Sequence, residues 1–146
     1  MRIAVFVAAV ALVAGAAPLG ATEVSKALVE PAIGIQVSLA SDTMDGVAKN
    51  AGLVEAEASR LGAPAAKIAG AARQLQKTTK LDDARVAYGA LSEAIVAYMD
   101  TQKLTPASDV RIAFCPMVLK PWLQKDGAIR NPYYGSTMLT CGSFRK

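Results

Sequence analysis

From Ile33 the small and apolar residues return as Ile33, Val37, Ala40, Met44, Val47, Ala51, Val54, Ala58 and Leu61, in alternating steps of four and three. That period puts them on one stripe of a helix about eight turns long. Pro31 suits its first turn, and Gly62 with Pro64 supplies a stop and a restart. Gly34, Gly46 and Gly52 each weaken the run by up to ~1 kcal/mol relative to alanine, so the pattern also admits a break near Gly46. A second helix is predicted over 64–77, with Ala65, Ile68, Ala72 and Leu75 on one face. The steps resume at Leu81, Ala84, Tyr88, Leu91, Ile95 and Tyr98, and this third helix should end near Lys103, ahead of Pro106. Asp82 and Asp83 fall in its first turn, where the helix dipole favours negative charge.

Each apolar stripe must be buried on another, so the pattern predicts an all-α fold, a small up-and-down bundle of about three helices. Periodicity fades over 105–146, which holds four prolines. A structureless stretch of that length is unusual in a compact domain. A short strand is expected at 110–114, and the remainder is read as an irregular segment folded back on the bundle.

The amino terminus adds an address. Arg2, the apolar run at 3–13 and the small residues Ala14 to Ala17, Gly20 and Ala21 read as a signal peptide over 1–21, too short to span a bilayer stably. Residues 22–146 then form a single helical domain, expected in a bacterial periplasm or, alternatively, outside the cell. No later apolar stretch is long enough to cross a membrane, and no cysteine near the cut suggests a lipid anchor.

Charge is uneven. From Lys103 onward seven basic residues face only Asp109 and Asp126, leaving the tail at +5 and the helical body at −2. A solvated basic face is the ordinary reading of that excess, and a surface for an acidic partner the sharper one. No nucleic-acid binding motif accompanies it. The chain has no histidine, which removes Ser-His-Asp and Cys-His nucleophiles, His-rich zinc helices and imidazole acid-base chemistry. With no C-x-x-C arrangement and no carboxylate pair in the tail, an enzyme is not expected.

The remaining chemistry is sulfur. Cys115 and Cys141 lie in the last 32 residues, in the runs Cys115-Pro116-Met117 and Met138-Leu139-Thr140-Cys141, among five of the eight aromatic residues. A disulfide is one reading, worth on the order of 3 to 4 kcal/mol by loop entropy. It would make the protein a structural or interaction module with a pinned tail. The other reading takes Cys115, Met117, Met138 and Cys141 as a ligand set, since thiolate and thioether select soft ions such as Cu(I) or Ag(I). Methionine is also a common core filler, so spacing alone decides nothing.

The runs Phe114-Cys115-Pro116-Met117, Trp122-Leu123-Gln124, Ile129-Arg130-Asn131-Pro132-Tyr133-Tyr134-Gly135 and Met138-Leu139-Thr140-Cys141-Gly142 resemble the signature of an exported bacterial domain family of unknown function. That domain also occurs appended to periplasmic adaptor subunits of copper and silver efflux pumps. Leu91-Ser92-Glu93-Ala94 is similar to the family too, and the likeness covers roughly 33–142. The resemblance implies Cu(I) or Ag(I) handling on Cys115, Met117, Met138 and Cys141, an envelope metal-handling or efflux protein as partner, and Trp122 and Tyr133 as anchors of the tail. Asn131-Pro132 followed by Gly135 is a turn signal that would aim Met138 and Cys141 back toward Cys115. Val118-Leu119-Lys120-Pro121 departs from the family, standing where a glycine-containing loop is expected ahead of the tryptophan.

Overall fold

The computed structural model describes residues 22–146, so the signal peptide read at 1–21 lies outside the described residues. Strand β1 (Thr22–Glu23) leads into α1 (Lys26–Ala40) and α2 (Val47–Leu61). A single 3-10 turn then runs into α3 (Ala66–Gln76), followed by α4 (Leu81–Gln102). The chain continues through β2 (Leu104–Thr105), β3 (Val110–Cys115), β4 (Lys120–Lys125), a second 3-10 turn at Gly135–Thr137 and β5 (Ser143–Phe144). Four helices and a three-stranded antiparallel sheet packed against them make the fold α+β, which corrects the all-α bundle expected from periodicity.

The long stripe from Ile33 to Leu61 belongs to two helices. Between them Asp42 has φ 57° and Gly46 φ 75°, left-handed values that an α-helix does not accommodate. The Ser38 hydroxyl holds the connection by donating to the carbonyl of Asp45 at 2.7 Å, with the carbonyl of Gly34 as its alternative acceptor at 3.1 Å. The buried face of α1 is also rotated from the predicted stripe: Ile35 and Leu39 are fully buried while Val37 is 48% exposed. Helix α1 begins five residues before Pro31, which therefore sits inside it. The carbonyl that Pro31 cannot satisfy is that of Ala27, an exposed residue, so the lost hydrogen bond falls on the solvent side of the helix.

The tail is the second correction. Strand β3 pairs with β4 from Val110 opposite Lys125 to Cys115 opposite Lys120, and with β5 through Ala113 opposite Phe144 and Phe114 opposite Ser143. The sheet order is β4-β3-β5, so β4 is an edge strand. That position tolerates Pro121, whose missing N–H would break a central ladder. Strands β1 and β2 pair in parallel, tying the start of the described chain to the end of α4.

Successive helices pack on one another, and β4 lies against both α1 and α4. One core results, with Leu28, Ile35 and Leu39 of α1, Tyr88, Leu91 and Ile95 of α4, and Trp122 and Leu123 of β4 all essentially buried. Helices α2 and α3 pack on each other, and their buried positions include Ala51, Ala58, Ala69 and Ala72, small side chains that permit close approach. The basic tail meets the acidic body where it lies against α1 and α4. Lys120 pairs with Glu93, Lys125 with Glu30, and Arg145 with Asp100. Much of the charge asymmetry is thus complementarity within one molecule, each exposed pair being worth about 0–1 kcal/mol.

Candidate thiol site

Cys115 ends β3 with its side chain directed into the protein and no exposed surface. Cys141 arrives from the opposite direction. The chain leaves β4, turns at Asn131 and closes that turn with a hydrogen bond from the Asn131 N–H to the Leu139 carbonyl at 2.7 Å. Two residues later Cys141 lies partly exposed beside Cys115, and both are free thiols. The register of β5 fixes this return, since Ser143 pairs with Phe114, the residue before Cys115.

Gly142 makes the approach possible. A Cβ there would stand 2.6 Å from Trp122 Cη2 and 2.9 Å from the Phe114 carbonyl oxygen, and its φ of 136° is a value that L side chains rarely adopt. The backbone therefore passes close against the indole, with no room for a side chain. Trp122 is itself fully buried, donates its Nε1–H to Gln124 Oε1 at 2.9 Å, and meets Tyr133 edge-on at 6.0 Å between centroids. Tyr133 in turn contacts Tyr88 of α4 at 5.9 Å and donates its hydroxyl to the Pro121 carbonyl. Burial raises the Tyr133 phenol well above its ordinary range, which keeps it neutral and a donor.

Asn131 joins the two arms. It is fully buried, and its Nδ2 lies 3.2 Å from Cys115 Sγ and 2.8 Å from the Cys141 carbonyl oxygen, donating to both. Its Oδ1 accepts the Tyr133 N–H at 2.8 Å. The Cys141 thiol is within hydrogen-bonding reach of Cys115, and its pKa is raised by partial burial first and by the neighbouring Cys115 second. An amide donor aimed at sulfur supports negative charge there, as second-sphere donors do around metal-bound thiolates.

Of the four predicted sulfur ligands, the structure brings together the two thiols. Met117 stands in the turn between β3 and β4 with 59% of its surface exposed, and Met138 is half-buried at the end of the second 3-10 turn. Among the described residues no group of three or more histidine, cysteine or carboxylate side chains converges. The turn holding Met117 also answers for the missing glycine loop, because Leu119 adopts φ 55° in the position where glycine would be unstrained. Met117, Val118 and Leu119 form an exposed apolar tip. Beside it runs an open groove of about 380 Å³, lined in part by Val86, Gly89, Val118, Tyr133 and Tyr134.

Sequence reading missed the roles of Asn131, Gln124 and Gly142. The Asn131-Pro132 pair announced a turn, but nothing local announces that a side-chain amide will reach a sulfur 16 residues earlier. Comparison with family models, curated proteins and solved structures returns no match for this chain.

Proposed function

We propose that this is an exported, non-enzymatic soft-metal binding protein that holds Cu(I) or Ag(I) on Cys115 and Cys141, for buffering or transfer in metal handling. Met117 and Met138 are the thioether donors available to complete the set. The observation that carries the reading is the pairing of one buried and one partly exposed thiol on a chain without histidine. Soft sulfur donors favour monovalent copper and silver, while the harder ions find no imidazole in the sequence and no carboxylate cluster among the described residues. The asymmetry of exposure suits loading, with Cys141 meeting the ion at the surface and Cys115 holding it from within. The motif resemblance points the same way and suggests an envelope metal-handling or efflux protein as partner, with the periplasm as the working compartment.

Binding displaces thiol protons, so apparent affinity should fall as pH falls, and the raised Cys141 pKa extends that dependence further into the alkaline range. Titration of the reduced protein with Cu(I) against a competing chelator tests the proposal. One ion should bind with an affinity that Cys115→Ser combined with Cys141→Ser abolishes. Equal affinity in that double variant would reject it.

The second reading is an interaction module whose tail is pinned by a Cys115–Cys141 disulfide. The exposed apolar tip at Met117, Val118 and Leu119, beside an open groove, favours it. Intact mass before and after thiol alkylation separates the two, because a closed bridge that resists mild reductant leaves no thiolate for a metal.

A further inference from the structure

The two thiols differ in access but not in position, and that difference assigns them different chemical roles. Cys115 has no exposed surface, whereas Cys141 is partly exposed. The Asn131 amide spans Cys115 Sγ at 3.2 Å and the Cys141 carbonyl at 2.8 Å, so the arms are held together without a covalent bond. Gly142, the next residue, packs closely against the Trp122 ring and the Phe114 carbonyl.

We propose that Cys115 and Cys141 form a reversible thiol–disulfide switch in which Cys141 meets the oxidant and Cys115 closes the bridge. The inference rests on the metal reading for its consequence, since the closed form has no thiolate to offer an ion. The oxidant is a disulfide, R–S–S–R, of a small thiol or of another protein. Cys141 loses its proton and attacks one sulfur of R–S–S–R; that S–S bond breaks, and the leaving R–S⁻ takes up a proton. Cys115 then loses its proton and attacks Cys141 Sγ, forming the internal bond and expelling the second R–S⁻, which is protonated in turn. The protein gives up two electrons and two protons, and the oxidant becomes two R–SH.

The test uses oxidised glutathione as the probe. Reduced protein is incubated at a series of ratios of oxidised to reduced glutathione, quenched in acid, alkylated and weighed intact. Wild type should pass from two alkylated thiols to none with no retained glutathione. The Cys115→Ala variant, which places no hydroxyl in the core, should stop at a glutathione adduct on Cys141. The Cys141→Ala variant should acquire its adduct at least ~10-fold more slowly, because its remaining thiol is buried. Equal adduct rates in the two variants, or wild type that keeps both thiols or stops at the mixed disulfide under oxidising ratios, would overturn the switch. The wild-type measurement decides whether the bridge closes even where a variant folds poorly. Cu(I) titration of the two wild-type forms separates this idea from the one beneath it. Cycling without Cu(I) uptake by either form removes the metal reading and leaves the switch; Cu(I) uptake by a reduced pair that never closes does the reverse.

Discussion

Removing the Asn131 carboxamide would orphan the buried Tyr133 N–H and the partly buried Cys141 carbonyl and take an amide donor from Cys115. Each orphaned buried group costs about 1–3 kcal/mol, so Asn131→Ala should lose about 2–4 kcal/mol in urea unfolding followed by Trp122 fluorescence. Asn131→Asp keeps the acceptor for Tyr133 but sets a carboxylate against a sulfur and a carbonyl, and should do at least as badly. A loss within about 0.5 kcal/mol, the range of ordinary surface changes, would mean that this amide does not hold the arms. Gly142→Ala tests the same junction from the backbone. Its methyl group meets a buried indole that has nowhere to go, and the backbone strain alone costs about 1–3 kcal/mol. A fall in the urea midpoint with faster alkylation of Cys115 is expected, and an unchanged midpoint would contradict the packing described. The cysteine pair was legible as a motif, but its second sphere was not. Asn131, Gly142 and Trp122 act on one another across the fold, where no spacing rule reaches.

The helices were legible because α2, α3 and α4 each bury one face and repeat at three and four. Strand β3 was legible too, at 110–114, but β4 was not, for a reason visible in its burial. Along β4, Trp122, Leu123 and Gln124 are all buried, because helices and tail cover the strand from several sides and erase the alternation that marks a half-exposed strand. What locks these elements together is partly ionic. Arg85 of α4 donates to the carbonyls of Leu39 at 3.0 Å and Pro132 at 3.1 Å and to the Asp42 carboxylate, joining the end of α1 to the tail. Asp42 is held down from 3.8 to about 2, chiefly by its hydrogen bond from Ser136 and then by Arg85. Glu57 falls from 4.5 to about 2 through Arg60 and then Ser25. Both folded values lie below the unfolded ones, so these links contribute fully above about pH 4.5 and are lost as pH falls toward about 2. Chemical denaturation across that window should show stability declining with acid, and Asp42→Asn should flatten part of the slope. An identical slope in the variant would show that the Asp42 link does not contribute.

At the scale of the whole molecule, a helical body of net negative charge carries a basic sheet-forming tail whose return brings two thiols into contact. If that contact is a metal site, binding to the folded state alone stabilises it. Free Cu(I) or Ag(I) held at 100 times Kd should add about 2.7 kcal/mol, on the order of 10 °C in melting temperature for a domain of this size. The Cys115→Ser, Cys141→Ser double variant should show no such rise, and an equal rise would place the ion elsewhere. The most direct measurement is X-ray absorption at the copper edge on reduced protein loaded with one equivalent of Cu(I). The account predicts a first shell made of sulfur alone, with that shell lost in the double cysteine variant. A first shell of nitrogen or oxygen, or a sulfur shell unchanged when both cysteines are replaced, would contradict it.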